Sequence, residues 1–97
     1  MSMLIAILNY IRPLSEVDAI LPAHREFLKQ LLQEGKLLIA GRQNPRIGGV
    51  MIAKNVTRDE FEALLKKDPL SKVYEYQIIE LIPSFYAECL KDLLEDR

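Results

Sequence analysis

A chain of 97 residues, 49% of them hydrophobic, has the length of one small domain and can build only a modest core, which an oligomer would help to stabilise. Its 13 basic and 14 acidic residues leave a net charge of -1, so there is no electrostatic footprint for nucleic acid. A single cysteine, Cys89, excludes an internal disulfide and fits a reducing compartment, and with only one histidine beside it a protein zinc site of the usual kind is excluded.

No apolar run approaches the roughly 18 residues of a membrane-spanning helix. The opening segment lacks both a basic n-region and a small-residue cleavage site. A cytoplasmic, soluble protein is the expectation.

In chain order, Met3–Ile11 (MLIAILNYI) is a short apolar run closed by Arg12-Pro13 and reads as a buried strand. Ser15 followed by Asp18 resembles an N-terminal capping signal. Pro22 suits a first helical turn, so the firm helix is predicted from about Leu21, ending at Gly35 as its C-terminal cap. KLLIAGR and GGVMIAKN read as two strands of a hairpin around QNPRI. Thr57 and Glu60 form a capping box for RDEFEALLKKD, which Asp68-Pro69 closes. KVYEYQIIELI is a longer strand, and SFYAECLKDLLEDR (84–97) reads as a terminal helix in which Cys89 is a packed thiol.

The order β-α-β-β-α-β plus a tail helix predicts an α+β, ferredoxin-like fold over 1–97, with a core at 3–82 and a C-terminal helix at 84–96. An antiparallel sheet with helices on one face normally shows alternating polarity. Here the first strand is apolar on both faces, as are LLIA and VMIA, so something must cover the open face. A second copy of the sheet does this most economically, and a symmetric homodimer is predicted.

His24, the chain's only histidine, falls near the middle of the helix's apolar arc, between Leu31 and Leu28 at about 100° per residue. The topology brings it to the same end of the sheet as Asp68, Tyr10, Arg12, Tyr74 and the hairpin residues Arg42, Asn44 and Arg46. A buried imidazole needs a partner, and an Asp68 carboxylate accepting from one ring nitrogen would fix its tautomer, the arrangement of an oriented general base. The same pair also has a purely structural reading, tying the first helix to the loop after the second. The hairpin arginines likewise have a reading as solvated side chains. The candidate site is therefore His24 and Asp68 as catalytic residues, with Arg42, Arg12, Tyr10 and Tyr74 binding substrate and no metal or cofactor.

PAHREFLKQLLQEGKLLIAG followed by KKDPLSKVYEYQIIEL resembles the YciI-like family, whose members carry Pro-x-His in the first helix, Glu-Gly-x-Leu-x-x-x-Gly entering strand two and Asp-Pro before the last strand. The likeness runs from the first strand to about Leu81. It implies a ferredoxin-like fold dimerising as a dimeric α+β barrel, with an active-site histidine and aspartate at His24 and Asp68. One relative is a dehydrochlorinase acting on a chlorinated hydroxyquinol, while most members have no assigned reaction. The chain departs from the pattern at Gly41-Arg42, where Gly-Pro is frequent, and at Leu70, where an aromatic commonly follows Asp-Pro; the substrate does not carry over. Two function classes stay open: a cofactor-independent lyase or isomerase acting on a small anionic or phenolic compound, and a non-catalytic dimeric module that binds a metabolite or a partner protein.

Overall fold

The computed structural model describes residues 2–94. Strand β1 (Met3–Tyr10) is followed by α1 (Leu14–Gln33), the hairpin of β2 (Leu37–Arg42) and β3 (Gly48–Ala53), α2 (Arg58–Lys67), a 3-10 turn (Pro69–Val73) and β4 (Tyr74–Leu81). A second 3-10 turn (Glu88–Leu90) and the short α3 (Lys91–Leu94) end the described chain. The four strands form one antiparallel sheet in the order β2-β3-β1-β4. This is the ferredoxin-like α+β arrangement.

The two-residue period of the strands sorts the side chains. Leu4, Ala6 and Leu8 of β1, with Met51 and Ala53 of β3, point to the helices and pack with Val17, Leu31, Phe61 and Leu65 in one core. Ile5 and Ile7 pair across the other face with Ile52 and Val50. A bulge between Leu37 and Ile39 lets both Leu37 and Ala40 lie on the helix side while Ile39 joins the open face. That open face keeps Ile39 59%, Ile79 41% and Leu81 46% exposed. The described part of the tail leaves these residues uncovered; it lies beside the end of β3, where Lys54 Nζ donates to the Leu93 carbonyl.

Three expectations need correction. First, α1 does not firm up at Leu21 but runs unbroken from Leu14, with Pro22 inside it. Pro22 is exposed, so the carbonyl that loses its partner four residues earlier can be hydrated, and Val17, Leu21, Leu28 and Leu31 keep the packed face continuous. Ser15 is not the cap either: the chain enters extended at Pro13, whose carbonyl accepts from Glu16 N at 3.0 Å, while Arg12 pairs with Glu16. Second, the terminal helix does not begin at residue 84; helical backbone starts only at Glu88, and positions 95–96 lie outside the described residues. Third, Cys89 is exposed rather than packed.

Other local signals act as read. Gly35 takes a φ of 74° past the end of α1, with Gly35 N bonded to Leu32 O and Lys36 N to Leu31 O, the doubly bonded helix end that a side chain would strain. Thr57 Oγ1 accepts from Glu60 N at 3.1 Å while Thr57 N donates to Glu60 Oε1 at 2.9 Å, a reciprocal cap worth about 1 kcal/mol. Gly48 sits where β3 crosses closest to β1: a Cβ there would lie 1.7 Å from the Leu8 carbonyl oxygen. Gln43 ties the other side of the hairpin root, donating from Nε2 to Leu8 O at 2.9 Å.

Candidate active site

The unbroken α1 puts His24 midway along its length rather than in its first turns. Asp18, Leu21, His24, Arg25 and Leu28 recur at three- and four-residue spacing, so they share one face, and all line a cavity of about 400 Å³. Its other wall comes from Leu8 and Tyr10 of β1, Arg42 of β2, Val50 and Met51 of β3, Arg46 of the hairpin and Leu70.

Asp68 reaches His24 because proline follows it. The residue before proline is pushed into extended backbone, and Asp68 takes φ −61°, ψ 126°, ending α2 and capping the 3-10 turn that packs along α1. Its Oδ1 accepts from Leu70 N at 2.9 Å and is 2.8 Å from His24 Nδ1, the bond expected from the sequence; Oδ2 accepts from the Tyr74 hydroxyl at 3.0 Å. The Asp68 side chain is 0% exposed and that of His24 12%. With a carboxylate as partner, Nδ1 carries the hydrogen and Nε2 is left as the acceptor. Nε2 has no hydrogen-bond partner among the described residues, and its ring lines the cavity.

Tyr74 stands behind the aspartate. Its hydroxyl also lies 3.3 Å from the Leu65 carbonyl. Burial first, and the Asp68 charge second, push its phenol well above the usual tyrosine range. A group whose pKa rises on folding contributes stability that is whole below its unfolded pKa and is lost as pH climbs past it. The chain is therefore expected to lose stability above about pH 10, and Tyr74→Phe to flatten that loss in denaturation curves taken at increasing pH. An unchanged alkaline slope would show that Tyr74 stays unstrained by ionisation.

Of the six residues read from the sequence, His24, Tyr10 and Arg42 line the cavity, and Asp68 holds His24 from outside it. Tyr74 does not reach the cavity; it bonds Asp68. Arg12 is elsewhere, paired with Glu16 at 2.6 Å beside a separate shallow cleft that includes Lys72 and Val73. Three charged lining residues were not read as part of the site: Asp18, Arg25 and Arg46 in this role. The signal was the three-four spacing of 18, 21, 25 and 28: starting the helix at Leu21 hid Asp18, and Arg25 lay inside the predicted helix but off its apolar arc. Arg46 bonds Asp18 across the mouth and holds its carboxyl below its ordinary value. No three His, Cys, Asp or Glu side chains converge as a metal would require among the described residues.

Fold and site together define a small ferredoxin-like protein with a histidine–aspartate pair beside an open cavity. Residues 3–83 match the YCII-related domain, and the chain belongs to that family. Its fold is similar to that of 5-chloro-2-hydroxyhydroquinone dehydrochlorinase from Burkholderia phenoliruptrix AC1100, solved in complex with 2,5-dihydroxybenzoquinone. The TM-score is 0.64 at 19% sequence identity, over 81% of this chain and 91% of that one. No curated protein sequence matches the chain. No described helix is long and apolar enough to cross a membrane.

Proposed function

We propose that His24 and Asp68 act as an acid–base pair on a small anionic or phenolic compound held in the cavity, in a cofactor-independent reaction of the lyase (dehydrochlorinase) or isomerase type. One observation carries this reading: His24 has Nδ1 fixed by a buried carboxylate while Nε2 lies unpartnered at an open cavity. A histidine kept for packing alone would need no cavity beside it. Nε2 takes a proton from a hydroxyl or an acidified C–H of the substrate, and Asp68 stabilises the imidazolium that forms. Return of that proton to another atom completes an isomerisation; departure of chloride with its bonding pair completes a dehydrochlorination. Kinship in fold with a dehydrochlorinase supports this class of chemistry. Tyr10 and Arg42 line the same cavity and would orient the substrate; Arg12 and Tyr74, which do not, have no part in binding it.

The test follows chloride release from chlorinated hydroxyquinols and solvent-deuterium uptake by enolisable acids, comparing the natural chain with His24→Asn. Turnover that vanishes in the variant supports the reading. A variant that only melts earlier, with ligand affinity untouched, overturns it.

The protein works as a homodimer joined through its sheets in this reading. Ile5, Ile7, Val50 and Ile52 lie on the sheet face away from the helices, and Ile39 and Ile79 of the same face are exposed in the single chain; a contiguous apolar surface of that kind marks an interaction site. Sedimentation at micromolar concentration is expected to give twice the chain mass, and Ile7→Lys, which sets like charges face to face, to give the monomer. A natural chain that sediments as a monomer would rule the dimer out.

A further inference from the structure

Charge around the cavity is unbalanced. Arg25 from α1, Arg42 from β2 and Arg46 from the hairpin line it against a single lining acid, Asp18. Asp18 is already paired with Arg46. The side chains of Arg25 and Arg42 have no hydrogen bond or ion pair with any described residue. Burial orders the cavity from inside to outside. Leu8, Met51 and Leu70 are 3%, 1% and 2% exposed and form its inner wall with His24, whereas Arg25 and Arg42 are exposed. The inner end is apolar and carries the reactive nitrogen; the rim carries two guanidinium groups that make no salt bridge among the described residues, the Arg25 charge reaching Asp18 only through space.

We propose that the ligand of this site is a small carboxylic acid with a compact apolar body, its carboxylate gripped at the rim by Arg25 and Arg42 and its reacting end at His24 Nε2. This rests on reading the cavity as a ligand site. An arginine fork matches a carboxylate in two parallel bonds, and a neutral quinol would gain less from either guanidinium. A phosphate is the poorer fit. Phosphate sites draw on free backbone N–H groups at helix starts, but α1 offers its middle to the cavity, and the N–H of Leu70 is already taken by Asp68. The volume of about 400 Å³ suits a molecule of single-ring size. Arg46, neutralised by Asp18, closes the rim without adding a third free charge, which matches one carboxylate rather than several.

The test is calorimetric titration of the full chain with matched pairs of probes: benzoate and benzamide, 2,5-dihydroxybenzoate and 2,5-dihydroxybenzamide, with hydroquinone as the neutral reference. At least one acid is expected to bind about tenfold or more tightly than its amide, the difference between a charged and a neutral hydrogen-bonded pair. That preference should shrink at high salt. The double variant Arg25→Gln/Arg42→Gln should lose it with an unchanged melting temperature, while His24→Asn should keep it. Acids that bind no better than their amides, or a preference that survives in the double variant, overturn the inference and leave the role of His24 standing. If, in addition, no probe binds and no substrate turns over, the ligand-site reading falls with it.

Discussion

Asp68→Ala is expected to bring the chain close to unfolding, with a loss of about 3–5 kcal/mol out of a total of about 5–15 kcal/mol for a domain of this kind. The substitution removes an acceptor shared by three donors at once: His24 Nδ1, the Leu70 N–H and the Tyr74 hydroxyl. All three cluster around a side chain that water does not reach, and each buried donor left unpaired costs about 1–3 kcal/mol. Tyr74 alone has a fallback, in the Leu65 carbonyl 3.3 Å away. Urea denaturation reads the loss directly, and a change below about 1 kcal/mol would mean that water enters and replaces the carboxylate. Asp68→Asn behaves differently. The amide oxygen can keep the bonds from Leu70 and His24, and its NH₂ can donate to Tyr74 if that hydroxyl turns to Leu65. The fold should then lose only about 1 kcal/mol, while the imidazolium loses its counter-charge and turnover falls.

His24→Asn should show the opposite balance. Asp68 keeps its bonds to Leu70 and Tyr74, so no buried charge is orphaned and stability should change by no more than about 1–2 kcal/mol. Activity should drop by about 10²–10⁴-fold, the usual contribution of a positioned acid or base. Sedimentation and melting establish that the variant is folded, and chloride release or deuterium uptake gives the rate. Measured together, the two asparagine variants separate the roles: one removes the group that moves the proton, the other the charge that steadies it. Equal rates in the natural chain and His24→Asn would leave the histidine with packing alone.

The legible part of the molecule was the part written in local chemistry. The short apolar run of β1, the Thr57–Glu60 box, Gly35 and the Asp68-Pro69 stop each specify their own backbone, and the order of elements then admits few topologies. The partnership of His24 with Asp68, 44 positions apart, was legible because an imidazole on an apolar arc needs an acceptor and the topology offered one. The start of α1 was not. Proline is tolerated inside a helix when its freed carbonyl faces water, and exposure is a property of the folded chain. That error hid Asp18, whereas Arg25 lay inside the predicted helix but off its apolar arc. Arg12 and Arg42 look alike in sequence; which of them turns to the cavity depends on Glu16, one helical turn from Arg12, drawing it aside. Tyr74 was misread for a related reason: strand alternation assigns its face but not how deep its hydroxyl lies.

The root of the β2–β3 hairpin bears on how such a protein can diversify. Position 48 admits no side chain, because the Leu8 carbonyl already occupies the space, and Gln43 ties the hairpin's other side to that same carbonyl. Between these two fixed points, residues 44–47 are free of the sheet's ladder except for Ile47 O, which accepts from Tyr10 N. Arg46 rides on this short span, and Arg42 stands just before it. Sequence change can therefore collect in a few loop positions that decide what passes the cavity mouth, while the sheet beneath keeps its register. Libraries randomised at 44–46 would explore new ligands on an unaltered scaffold, and any that reach 48 would sample mainly unfolded chains.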